Sequence, residues 1–195
     1  MKKKLVSYIL LPAVFVSFLG ALDCAKKKET APVANIIVDS PYQELDTTTM
    51  ISYNGSRKVW ILESTHIVKS LTDTGHITGN PVTITVFDSL GKQTSKVISD
   101  SGITDETFKE MTVWGNVFVQ AENGTRVNTQ RLFWNQKTHR VTSDTYVQMK
   151  TKKGDVLRGK GLDAAEDFSS WEFKQDVSGR FPNFKERVEK GEEFD

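Results

Sequence analysis

From about Leu45 onward the chain alternates apolar and polar side chains with a period of two. Val82, Ile84 and Val86 alternate with Thr83, Thr85 and Phe87; Val113, Gly115, Val117, Val119 and Ala121 alternate with Trp114, Asn116, Phe118 and Gln120; Val141, Ser143, Thr145, Val147 and Met149 repeat the pattern. A strand sends successive side chains to opposite faces, so each run predicts a β-strand with one face turned to a core. The other faces are not uniformly polar, because Trp114, Phe118 and Tyr146 lie on them. Asn54-Gly55, Leu90-Gly91, Asn123-Gly124 and Lys153-Gly154 interrupt the alternation where hairpins need a turn. No amphipathic pattern of three helical turns occurs between 45 and 178. Short strands with regular turns predict an all-β sandwich, barrel or roll. Two successive units of about 21 residues, WGNVFVQAENGTRVNTQRLFW and VTSDTYVQMKTKKGDVLRGKGL, each read as one hairpin. Stacked hairpins favour an elongated roll.

The ends of the chain differ from this body. Lys2, Lys3 and Lys4 precede an apolar run from Leu5 to Leu22, the pattern of a secretion signal or a membrane anchor. Its 18 residues are long for the first and near the lower limit for a spanning helix. The only cysteine, Cys24, lies two residues beyond the run, where a bacterial lipoprotein carries its acylated residue, although Asp23 stands where a small residue is usual. Two readings therefore stand: Cys24 is the lipid attachment site, or residues 5–22 are an uncleaved span. Either places the rest of the chain on the far side of a cytoplasmic membrane. The reading divides the chain into a signal or anchor (1–24), a tether (25–42), a β-domain (43–178) and a charged tail (179–195) expected to fray apart from one helical turn.

Composition narrows the chemistry. The formal net charge of the 195 residues is +1; without residues 1–24, which hold three lysines and one aspartate, 23 basic residues face 24 acidic ones. No basic stripe for nucleic acid is present. One cysteine excludes an internal disulfide. His66, His76 and His139 stand apart, and no CxxC, HExxH, P-loop or GxGxxG pattern occurs, so neither a metal nor a cofactor is expected. Asp144, Asp155, Asp163, Glu166 and Asp167 lie by turns, where local hydrogen bonding explains them better than catalysis. No nucleophile–base arrangement is visible, and the chain is not read as an enzyme.

A series of segments then resembles one family: VWILES (Val59–Ser64), NPVTITVFDSLGK (Asn80–Lys92), VWGNVFV (Val113–Val119), NTQRLFW (Asn128–Trp134), VTSDTYV (Val141–Val147) and LRGKGLD (Leu157–Asp163). In order, behind a single anchor, they resemble the LptC family, the membrane-anchored periplasmic component of lipopolysaccharide export. The resemblance covers roughly Leu45 to Gly179. It implies a β-jellyroll whose N-terminal edge receives lipopolysaccharide from an inner-membrane ABC transporter complex. Its C-terminal edge passes the lipid to a periplasmic bridge protein, with acyl chains travelling through the apolar interior.

Interior candidates are Trp60, Leu62, Val82, Ile84, Val86, Val117, Val119, Leu132, Val141, Val147 and Met149, which are read either as a closed core or as a lipid path. Docking edges are placed at Leu45, Ile51 and Tyr53, and at Trp171, Phe173 and Val177. Gly115, Gly159 and Gly161 fall inside strand-like runs, as bends or as space for a passing lipid. The competing functional reading is a periplasmic or surface lipoprotein that binds another apolar ligand or a protein partner.

Overall fold

The computed structural model describes residues 41–72 and 75–191. They form one antiparallel sheet of ten strands. In chain order these are β1 (Tyr42–Asn54), β2 (Arg57–Ser70), β3 (His76–Phe87), β4 (Gln93–Ser99), β5 (Ser101–Asp105), β6 (Glu110–Ala121), β7 (Arg126–Asn135), β8 (Arg140–Lys150), β9 (Val156–Ala165) and β10 (Trp171–Arg180). A short helix, α1 (Phe184–Glu189), follows. The strands pair in sequence order, except that β4 and β5 share one lane, both lying between β3 and β6. The all-β roll expected from the alternation is the observed fold.

The long strands are not straight, and this turns a sheet into a roll. With β4 and β5 taken as one lane, the pairing of every two neighbouring lanes is interrupted or changes register near its middle. β1 pairs with β2 through Asp46↔His66 and then Thr48↔Ser64, and β6 with β7 through Trp114↔Arg131 and then Val117↔Thr129. The break continues through β7–β8, β8–β9 and β9–β10. Bulges bend strands and raise their twist, and aligned bulges make a crease. Left-handed residues lie along it: Thr47, Gly115, Asn116, Gly161 and Asp176.

The crease also switches side-chain parity. Buried positions step by two on either side of it but by three across it in most lanes: Ser64 to Ile67, Gly79 to Val82, Ser99 to Gly102, Thr129 to Leu132, Gly159 to Leu162. Each half of a strand thus keeps its apolar face toward the other half. Buried hydroxyls satisfy the backbone groups that the bend frees. Ser64 Oγ donates to the His66 carbonyl at 2.9 Å and accepts from the Asn80 N–H at 3.1 Å. Ser99, Thr129 and Ser143 donate to the carbonyls of Ser101, Tyr146 and Arg131 at 2.8–3.0 Å. A residue larger than serine or threonine would be forced into the packed angle at these sites.

The turns define two rims opposite the crease. On the first rim Gly91, Gly124 and Gly154 occupy the left-handed position that follows each turn, the usual glycine position of such hairpins. On the second rim Gly75 is left-handed, and so are three non-glycine residues, Phe108, His139 and Phe168. A left-handed conformation costs a non-glycine residue about 1–2 kcal/mol, so tertiary contacts must hold these three in place.

Of the charged tail, residues 181–191 are described, and α1 lies where the sequence allowed one helical turn. The Phe181 ring lies over Gly179, where an added Cβ would come within 2.8 Å of it. Arg187 of α1 is buried, with its Nη1 2.5 Å from Oδ1 of the fully buried Asp155. The charge pattern alone gave no sign that one of those charges has a buried partner.

Candidate functional site: the apolar interior, its mouth and the strand edges

The two half-sheets face one another across a shared apolar interior. Trp60, Leu62, Val82, Ile84, Val117, Val119, Leu132, Val141, Val147 and Met149 are buried in one cluster, and Val86 lies partly exposed against it. Val117 and Val119 face inward while Asn116 is exposed. Sequence reasoning missed Ile67, Ile77, Met111, Val113, Val127, Leu162 and Phe168, all buried in the same cluster. For Val113 and Met111 the alternation carried the signal. For Phe168, next to Asp167 and Ser169 in a turn, nothing in the local pattern did.

A cavity of about 60 Å³ lies near the mouth, between Trp60, Ile84, Val86 and Val97 of one half and Met111, Val113, Leu132, Trp134, Val141 and Phe168 of the other. A second void of about 20 Å³ lies toward Leu62, Ile67 and Ile77 and shares Ile84, Met111 and Val113 with the first. An apolar cavity of about 150 Å³ is what accommodates a benzene ring. In the closed form, then, the interior is a packed core with a seed of free space, smaller than any acyl chain.

Two phenylalanines close the mouth. Phe108, in the β5–β6 turn, packs on Trp60 with ring centroids 5.0 Å apart and the rings tilted by 45°. Phe168, in the β9–β10 turn, is only 2% exposed, and its carbonyl accepts a hydrogen bond from Asn123 Nδ2 on the opposite rim at 3.2 Å. Glu166, beside Phe168, accepts from Trp134 Nε1 at 3.1 Å and from His139 Nδ1 at 3.0 Å. These contacts hold the left-handed residues of the second rim. Trp60 Nε1 is buried without a hydrogen-bond partner.

The three glycines singled out in the sequence have protein neighbours. Gly115 and Gly161 are left-handed bulge residues of the crease. At Gly159 a Cβ would meet the Phe173 side chain at 2.7–2.9 Å, so this glycine makes room for a β10 aromatic.

The edge candidates lie on β1 and β10, the outermost strands, each hydrogen-bonded to a single neighbour among the described residues. On β1, Leu45 is half-buried while Ile51 and Tyr53 are exposed. On β10, Trp171 and Phe173 pack against the core with their rings 5.6 Å apart, and Val177 is 58% exposed. Cys24 and residues 5–22 lie outside the described residues. Among the described residues there is no cluster of metal-binding side chains, and no helix is long and apolar enough to cross a membrane.

No curated protein sequence matches the chain significantly. The family model described as "Lipopolysaccharide-assembly, LptC-related" matches residues 9–181, which takes in the whole sheet and ends before α1. The match covers most of the chain, and with it the LptC-like roll read from the sequence segments has its family: this chain belongs to the LptC-related family of lipopolysaccharide-transport components.

Proposed function

We propose that the chain is a membrane-tethered periplasmic carrier that takes lipopolysaccharide from the inner-membrane ABC transporter at the β1 edge and hands it to a periplasmic bridge protein at the β10 edge. The acyl chains move between the two half-sheets, in contact with Trp60, Leu62, Val82, Ile84, Val86, Val117, Val119, Leu132, Val141, Val147 and Met149. The observation that carries this reading is the apolar inner face that runs through successive lanes of the sheet, bounded at either end by an outer strand with one unpaired edge. An unpaired edge is a template for strand addition by a related roll. Acyl chains shielded between the halves gain about 0.8 kcal/mol per methylene relative to water. Anchoring follows either from an acyl group on Cys24 or from residues 5–22, and intact mass of the membrane-extracted chain separates the two.

Photo-reactive residues at Val117, Val119 or Met149, in the complex running on ATP, test the reading. They should crosslink lipopolysaccharide, while the same probe at Asn116 or Gln120 should not. Equal crosslinking from both faces would refute an interior path. No crosslinking anywhere in a folded, assembled complex would refute the carrier reading itself.

A further inference from the structure

Trp60 carries a cost that a phenylalanine there would avoid. Its ring fills the mouth end of the interior, 4% exposed, and its indole N–H is buried without a partner. An unsatisfied buried donor is unfavourable, whereas an apolar ring of similar shape loses nothing. The donor belongs to a residue that lines the 60 Å³ cavity. The carboxylate on that cavity wall, Glu166, is already engaged through both oxygens, by Trp134 and His139.

We propose that Trp60 Nε1 is the docking point for the ester or amide carbonyl of an acyl chain that enters between the rims past Phe168. An indole N–H donates and cannot accept, so its partner must bring an acceptor. An acyl group bound through an ester or amide carries one neutral carbonyl at its polar end; a plain hydrocarbon carries none. A phosphate would carry net charge into an apolar chamber, at a cost of several kcal/mol per ion. With its carbonyl on Trp60, the chain points inward toward the second void at Leu62 and Ile67, along the wall shared by Ile84, Met111 and Val113. The proposal rests on the lipid-carrier reading and adds which part of the lipid is recognised, and by which atom.

The test uses the full chain in ester-free detergent with nitrogen-15 in its indoles, titrated with methyl myristate or with tetradecane. Methyl myristate should move the Trp60 indole proton downfield, and tetradecane should not. Trp60→Phe should weaken the apparent affinity for the ester roughly two- to tenfold, the worth of one net hydrogen bond, and leave that for tetradecane unchanged. The indole shift in the unsubstituted chain is an independent readout should Trp60→Phe fold poorly. If both probes perturb the Met111 and Val113 methyl signals while the Trp60 indole proton stays in place, the proposal is overturned and the lipid-carrier reading survives. If neither probe reaches those methyl groups, both fall.

Discussion

Replacing Phe168 separates the two forces that meet at the mouth. The ring is buried in the main cluster, and deleting a buried phenylalanine side chain costs about 3–5 kcal/mol. The backbone at this residue has φ +57°, which costs any non-glycine residue about 1–2 kcal/mol. Phe168→Ala loses the ring and keeps the backbone cost. Phe168→Gly loses the same ring and is relieved of that cost. At an ordinary strand position glycine is worse than alanine by about 0.5–1 kcal/mol. Here the order should invert, with Phe168→Gly more stable than Phe168→Ala by about 1 kcal/mol. For a chain of this size that difference is about 2–4 °C in the midpoint of thermal unfolding. Circular dichroism melts of the full chain in detergent read it directly. Val147, fully buried in β8, is the control: there the alanine variant should be the more stable of the pair. If Phe168→Ala melts above Phe168→Gly, the phenylalanine is not held against backbone strain, and its reading as a stopper fails.

Three further outcomes are expected. Arg187→Met should destabilise the chain by about 3–5 kcal/mol in urea unfolding, because it strands the buried Asp155 carboxylate, and Asp155→Leu combined with Arg187→Met should recover most of the loss. Proline at Lys174 or at Gln175, consecutive exposed residues of β10, should abolish pull-down of the bridge protein at whichever position has its N–H pointing away from β9, with the melting temperature preserved; retention of binding in both folded variants would exclude this edge. The Asp105 carboxyl lies below its ordinary pKa, chiefly because the Thr107 hydroxyl donates to it, with backbone donors helping. A lowered folded value means that its contribution is present above the ordinary value and lost as pH falls through the folded one. Asp105→Asn should therefore be less stable than the unsubstituted chain near neutrality, and the two unfolding free energies should converge in strong acid.

The alternation around Val82–Val86, Val113–Ala121 and Val141–Met149 revealed the strands and their inner faces, because the period of two is a local property of an extended backbone. The crease was much less legible. Across it the inward positions in β7 run Val127, Thr129, Leu132, and a three-residue step looks like a defect in the alternation rather than a corner. Its signature is spread over separate strands as small hydroxyls at Ser64, Ser99, Thr129 and Ser143, whose meaning appears only when the lanes stand side by side. Phe168 was hidden for a different reason. A left-handed phenylalanine runs against local preference and is held by tertiary contacts from Asn123 and the core, so no window around Ala165–Ser170 points to it. The buried ion pair of the charged tail was hidden in the same way, since Arg187 and Asp155 are 32 residues apart.

The layout of the hydrogen bonds bears on how such a roll can admit a lipid larger than its free space. Every ladder among the described residues joins neighbouring lanes, and none joins one half to the other across the mouth. Hinging the halves apart at the crease would leave these ladders intact. What it would break is the Trp60–Phe108 contact, the Asn123–Phe168 hydrogen bond and apolar packing. Acyl chain can replace apolar packing nearly in kind, at about 0.8 kcal/mol per methylene, and a carbonyl at Trp60 would replace a lost polar contact with a new one. On the proposed carrier reading, the closed roll is thus an empty carrier whose opening is offset by its own cargo.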